Sequence, residues 1–411
     1  MGPDELPGDH EMQGTRTLAE IVKGPDEMAG WSAVSGTHDF VVPDEEHARA
    51  LAQALAAYGF PLVSARPARQ AKGWTVTAID EGPYPPDLAG HRTINAVGRH
   101  AAVVARQHAG YRNGGSRCDP TLLARIRPIN APIEYTNPGA RPPIPSVVLG
   151  TAPPPATLGL APDHAEDIPI DLSGLDEIAW TELEHAHGPA DDVPDLLRAL
   201  ADPYGDWDQT LDELFGDDLL HQGTCYSATA PTLPFLTRMI VSGALPAKQR
   251  LDLYVWLLIA ADRWAEGLLV DADRAAVQNR PPAADERAHQ VHRTVDAQVP
   301  ALLARWNTEP PAVRYALACL AALYPHHAHQ TGDHITGMTE QLEGTQPGAY
   351  LKLAHALLQA QDGQALAIAT DIVAWEQSHD PGWLDAPCVT VAVKAGHILA
   401  QGALRVLSNT Q

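Results

Sequence analysis

Cysteine is scarce in this 411-residue chain: Cys118, Cys225, Cys319 and Cys388 are its four, and no two are spaced as CxxC. That excludes a zinc knuckle or a disulfide framework and leaves reduced, buried thiols of a cytoplasmic protein as the expectation. Basic residues are also short, with 28 Lys and Arg against 51 Asp and Glu and a net charge of −23. Repulsion on that scale argues against nonspecific association with nucleic acid or an anionic membrane and makes a basic protein the natural partner. Long apolar runs are missing. The best membrane candidate, Leu251 to Leu269, is interrupted by Asp252, Asp262, Arg263 and Glu266 and reads as a buried helix. The opening MGPDELPGDHEMQGTR has no positive segment followed by an apolar one, so no signal peptide is expected. No catalytic motif stands out, and neither a cofactor nor a metal is expected.

What is present divides the chain. At 45% hydrophobic content the length suffices for more than one core. Residues 1–30 are polar, acidic and without periodicity, and read as a flexible leader. Residues 31–118 hold nine basic and seven acidic residues, whereas residues 119–411 hold 17 and 37, so the imbalance belongs to the C-terminal part. Between them, residues 119–170 contain twelve prolines, which favour extended backbone and read as a semi-rigid linker. Residues 171–411 read as a helical domain.

The N-terminal module alternates strand and helix patterns. His38 to Val42 is a short β-rich run; Asp44 can cap a helix with apolar positions at Ala48, Leu51, Ala52 and Leu55, which Gly59 ends. Pro61 to Ala65 and Trp74 to Ala78 follow as extended segments on either side of the basic turn Arg66 to Lys72. After a loop from Glu81 to Pro86, a second helix carries Ile94, Val97, Ala101, Val104 and Ala105 on one stripe and ends near Gly110. The order βαββα suits a small α+β sandwich with its helices on one face of an antiparallel sheet.

The stretches HDFVVPDEEHARALAQALAAYGF (His38 to Phe60), GWTVTA (Gly73 to Ala78) and ARQHAGYRNGG (Ala105 to Gly115) resemble the bacterial regulator of ribonuclease activity B family, the ribonuclease E inhibitor proteins. The closing turn departs from that family: Tyr111-Arg112-Asn113-Gly114-Gly115 is basic where the family is typically acidic. The resemblance implies a protein-binding regulatory module related to RNA turnover.

In the C-terminal part, Val193-Pro194-Asp195-Leu196-Leu197-Arg198-Ala199-Leu200 is echoed forty residues later by Leu233-Pro234-Phe235-Leu236-Thr237-Arg238-Met239-Ile240, with a poorer copy from Val299 to Arg305. Proline is tolerated in a helix's first turn, so each copy reads as a helix start. A spacing near 40 with two helices per unit resembles irregular HEAT-type repeats, a solenoid architecture that presents an extended surface. Ten or eleven amphipathic helices are expected from Ser173 on, including a stripe of Leu175, Ile178, Ala179 and Leu183 and another of Trp207, Leu211, Leu214 and Phe215.

Between Asp163 and Asp218 lie 18 acidic residues and a single basic one, Arg198. Asp176, Glu177, Asp191, Asp192, Asp206 and Asp208 fall at helix starts, where carboxylates satisfy free N–H groups. The others are either a solvated face or a surface for a basic partner. The candidate partner-binding residues are Glu182, Glu184, Asp195, Asp212, Glu213, Asp217 and Asp218, with Tyr111 and Arg112 of the basic turn. The expected function is that of a non-enzymatic protein-binding regulator, an inhibitor that occludes a ribonuclease or RNA-turnover complex. The alternatives are an immunity protein that neutralises a toxin and a hydrolase or nuclease using His38, Asp39 and His108, with Tyr111 near them. Weaker candidates are a metal cluster at His326, His327, His329, His334 and Asp333, a Cys/His pair at Cys225 and His221, and an RNA-contacting patch of Arg66, Arg69, Lys72, Arg92, Arg99, Arg106 and Arg112.

Overall fold

A computed structural model of the chain describes residues 33–68, 72–115, 117–118, 120, 131–147, 149–160, 168–202, 204–376 and 381–409. The leader expected over residues 1–30, Arg69 of the basic turn and the acids Asp163, Glu166 and Asp167 lie outside the described residues.

A small antiparallel sheet region comes first and a mostly helical region follows. Strand β1 (Val34–Val42) leads into helix α1 (Glu45–Tyr58), whose first turn is capped by Asp44 Oδ1 accepting from the His47 amide at 3.0 Å. Ala48, Leu51, Ala52 and Leu55 are its buried stripe, and Gly59 closes it at φ 119°, a left-handed conformation that glycine adopts without strain. Strands β2 (Leu62–Pro67) and β3 (Trp74–Tyr84) and helix α2 (Leu88–Gln107) complete the βαββα order. Strand β3 runs through the segment expected as a loop, because Tyr84 pairs with Val34 of the lengthened β1.

The sheet gains strands that sequence patterning did not indicate. The turn from Tyr111 begins as strand β4 (Tyr111–Gly114), and β5 (Arg117–Cys118) follows it; both pair with β1. Strand β6 (Ile133–Thr136), inside the proline-rich segment, adds to β2, giving the order β4-β1-β3-β2-β6. Phe40, Leu51, Leu55, Val63, Val76, Val97 and Ala101 form the core between the sheet and the two helices.

Residues 141–147 and 149–160 of the proline-rich segment have no helix or strand and reach the helical region. Their carbonyls serve helix N-termini, whose first amides have no intrahelical partner. Pro154 O accepts from Gln346 N at 2.9 Å and Gly159 O from Ala312 N at 3.1 Å, while Leu158 is buried in the helical core.

Ten α-helices follow among the described residues: α3 (Val193–Ala201), α4 (Trp207–Leu211), α5 (Thr229–Ser242), α6 (Ala247–Val277), α7 (Glu286–Leu303), α8 (Pro311–Leu323), α9 (Gly332–Gln341), α10 (Gln346–Leu358), α11 (Asp362–Trp375) and α12 (Val391–Ser408). The run from Leu251 is the buried middle of α6, with α7, α8 and α12 packed against it; no helix among the described residues is long and apolar enough to cross a membrane. Buried Asp252 receives Lys248 Nζ at 2.9 Å and Trp207 Nε1 at 3.2 Å, and Asp262 receives His397 Nδ1 at 2.9 Å.

Three local expectations are corrected. The stripe from Leu175 to Leu183 forms two short 3₁₀ turns, because Gly174 at φ 83° and the extended Ile178 interrupt it. Pro194 does sit in a first turn, but Pro234 and Pro300 lie inside α5 and α7. A helix that has already started can lose one amide bond and continue when its apolar face is buried, as that of α5 is.

Candidate functional site

Three concave regions collect the candidate residues. The first lies between the sheet and the helical region, where a cavity of about 620 Å³ is lined by His38, His91, Tyr111, Arg112 and Arg117 from the sheet side and by Asp271, Asp273 and Arg274 from the end of α6. His38 points from β1 toward α2, where a Cβ on Gly98 would stand only 2.7 Å from its Nδ1, so glycine is required there. Asp80 lies 3.9 Å from His38 Nε2 and accepts from Tyr84 Oη at 2.9 Å. Burial lowers the His38 pKa, with Arg112 adding to the shift and Asp80 opposing it.

The expected trio of His38, Asp39 and His108 does not come together. Successive strand residues face opposite sides of a sheet, and Asp39 turns away to accept from Thr77 Oγ1 at 2.6 Å. His108 ends α2, and of the three only His38 lines the cavity.

The arginine patch is split: Arg92, Arg99 and Arg106 of α2 line a second cavity, of about 770 Å³, together with Arg112, where α2 docks the two regions. Arg92 is buried and donates through Nη2 to Val373 O at 2.6 Å and to Glu376 O. Arg106 Nη1 lies 2.7 Å from Asp273 Oδ1, and Arg99 Nε 4.0 Å from Asp385. Arg66 and Lys72 are exposed at the far end of β2 and the start of β3.

The third region is an acidic pocket of about 410 Å³, lined by His185, His187, Asp192, Gln209, Asp212, Glu213, Asp217 and Asp218. It gathers four of the candidate acids because the chain after α4 winds as a π-helix over Asp212–Leu219. A π-helix stacks residues about five apart, so Asp212 lies above Asp217 and Glu213 above Asp218. Facing it is a hairpin of β7 (Glu184–His185) and β8 (Gly188–Pro189), tied on by Ala186 N donating to Asp218 O at 3.0 Å. Buried His185 has Nε2 3.3 Å from Asp192 Oδ1 and Nδ1 3.3 Å from Asp218 Oδ1. Burial pushes the Asp218 carboxyl up to about 6, with His185 opposing the shift and Asp192 adding to it.

Other acids of the run are spread over the surface. Asp195 and Asp176 flank Arg198, Glu184 lies 3.4 Å from Arg287, and Glu182 is exposed on its 3₁₀ turn. Asp206 caps α4 as expected, its Oδ1 accepting from Gln209 N at 3.2 Å. Asp192 precedes α3 but makes no cap bond, which leaves its carboxylate to face His185.

His185, His187 and Asp192 were missed as site residues. The only sequence signal is His-x-His in EHAHG, which becomes meaningful once that segment is known to be a hairpin opposite a π-helix. Of the histidine cluster, His326 and His327 turn their Nε2 atoms to Asp296 Oδ1 of α7 at 3.0 and 2.9 Å, whereas His334 lies against the Trp306 ring. The side chain of His329 lies outside the described residues. Burial pushes the Cys225 thiol up to about 12, which withholds the thiolate that a nucleophile requires.

No family model, curated protein or solved structure matches the chain.

Proposed function

We propose that the chain is a non-enzymatic, protein-binding regulator whose acidic surface takes a basic protein, with a ribonuclease or RNA-turnover complex as the target class. The carrying observation is the exposure of the acidic run: of its fifteen described acids, twelve are exposed, only Asp212, Asp217 and Asp218 being more enclosed. Folding therefore leaves most of this charge at the surface: Asp176 and Asp195 hold Arg198, the one basic residue within the run, and Glu184 pairs with Arg287. A negative cover over a basic active site excludes RNA both sterically and by charge, which is inhibition by occlusion. The target class rests on the resemblance of the His38–Gly115 motifs. We read the helical half as an irregular HEAT-type array, a reading supported by the successive packing of α8 on α10 and of α10 on α12, with α12 also returning against α6.

The test is affinity capture from a native lysate with the full chain as bait, washed at about 50 mM and about 500 mM salt. A basic protein retained at low salt and released at high salt is expected, and it should be lost when Glu182, Glu184, Asp195 and Glu213 are changed together to amides. A salt-resistant acidic partner, or undiminished capture by that variant, contradicts the reading. Nuclease activity of the captured protein separates a ribonuclease target from another toxin.

A further inference from the structure

The His185 pocket holds a contradiction that its protein atoms do not resolve. The His187 amide donates to His185 Nδ1 at 3.1 Å, which makes Nδ1 the lone-pair nitrogen and places the ring proton on Nε2, facing Asp192 Oδ1. Nδ1 nevertheless stands 3.3 Å from Asp218 Oδ1, so two acceptors confront each other. Both side chains are 6% exposed, and His185 is the polar side chain set against the Asp218 carboxylate. The pocket lining adds Asp212, Glu213 and Asp217 and contains no Lys or Arg. A carboxylate as enclosed as that of Asp218, set against an acceptor nitrogen, is costly.

The spacing itself suggests what fits. A charge-assisted hydrogen bond spans about 2.7–2.9 Å. The equal separation at Nε2 is a long hydrogen bond to Asp192, but at Nδ1, which has no proton to offer Asp218, 3.3 Å matches the edge of a tetrahedral shell with metal–ligand bonds of about 2.0–2.1 Å. Ligand atoms of His185, Asp192 and Asp218 all lie within 4.8 Å of one another. We propose that this pocket binds one divalent transition-metal cation of the Zn²⁺ or Mn²⁺ kind through His185 Nδ1 and Asp218, with Asp192 orienting the ring through Nε2–H. The cation takes over the Nδ1 lone pair from the His187 amide, and Glu213 and Asp217 line the same pocket as further oxygen donors. An imidazole nitrogen in the set favours these metals over Mg²⁺ and Ca²⁺, which prefer oxygen alone. The cluster at Asp296 differs, because His326 and His327 can each give it an Nε2–H and need no cation.

This inference needs no second protein, and its variants at His185, Asp218 and Asp192 lie outside the set changed in the capture test, with Glu213 the one residue common to both readings. The test uses the full chain, stripped with chelator and titrated calorimetrically with ZnCl₂, MnCl₂ and MgCl₂, with loss of the free Mn²⁺ resonance as a second readout. One equivalent of Zn²⁺ or Mn²⁺ is expected, not displaced by equimolar Mg²⁺. His185→Gln and Asp218→Asn should each weaken it at least about tenfold. Asp192→Asn, at a half-exposed position, should weaken it less, and Glu343→Gln, at an exposed position outside the pocket, should leave it unchanged. Equal binding by the wild type, Asp218→Asn and Asp192→Asn, or displacement by equimolar Mg²⁺, overturns the proposal and marks diffuse attraction to an acidic surface.

Discussion

Replacing Arg92 with Met tests how the sheet is joined to the helices. Arg92 projects from α2 into the C-terminal end of α11, where the last carbonyls of a helix have no intrahelical partner and carry the negative end of its dipole. Its Nη2 donates to Val373 O at 2.6 Å and to Glu376 O, and the Glu376 carboxylate in turn accepts from Tyr350 Oη at 2.8 Å and from Arg405. Each bond from a charged donor contributes about 1.5–3 kcal/mol. Methionine keeps much of the stem's packing and removes the cost of burying a guanidinium, so the net loss should be about 2–4 kcal/mol. Because the contact joins the two regions, the loss should appear as faster local opening. Amides at the C-terminal turn of α11 and along the facing side of α2 should exchange roughly 30- to 1,000-fold faster by hydrogen-exchange mass spectrometry. Arg92→Lys should fall between, since an ammonium lacks the guanidinium's planar fork. Exchange unchanged within about threefold in Arg92→Met would refute the assignment of Arg92 as the joint.

Glu309 binds Arg250 through Nε and Nη2 at 3.0 and 2.8 Å, both side chains being buried, and Arg305 Nε at 2.7 Å, so Glu309→Gln should cost about 3–5 kcal/mol in urea unfolding by stranding the buried Arg250 charge. The double change of Arg250 and Glu309 to Met should recover much of that loss, a cycle that fails if the two single effects simply add. Two histidines should give opposite pH dependences. Burial opposes the charged form of His397, yet its contact with Asp262 raises the pKa above the usual value near 6.5, so its contribution is complete below that value and is lost as pH rises through the folded pKa. His38 is lowered by burial, so the unfolded chain takes up its proton first and stability falls as pH drops through about 6.5. Unfolding free energies of His397→Gln and His38→Phe between about pH 5 and pH 8 should show one dependence removed in each variant, and identical profiles for both would contradict the assignments.

Local periodicity carried much of the N-terminal pattern. The buried stripe of α1, the Asp44 cap and the left-handed Gly59 were legible because capping and amphipathicity are encoded within a few residues. Strands β4 and β6 were not, since four-residue edge strands such as Tyr111–Gly114 have a pattern too short to distinguish from a turn and exist through pairing with distant partners. The repeat signal misplaced two helix starts because Pro234 and Pro300 are tolerated inside helices whose burial outweighs one lost amide bond. At the acidic pocket the residue types were visible but their assembly was not. Asp212, Glu213, Asp217 and Asp218 converge through a π-helix, a winding that does not follow from the helical period of 3.6, and His185 reaches them across a hairpin.

The central claim is that the exposed carboxylates of the helical half bind a basic protein. The most direct measurement is the dissociation constant of the captured partner across about 50 to 500 mM salt, for the wild type and for the variant with Glu182, Glu184, Asp195 and Glu213 as amides. The account predicts wild-type affinity falling steeply with salt, and a weaker, flatter dependence in the variant. Affinities that coincide across the range, or that do not change with salt, would contradict it.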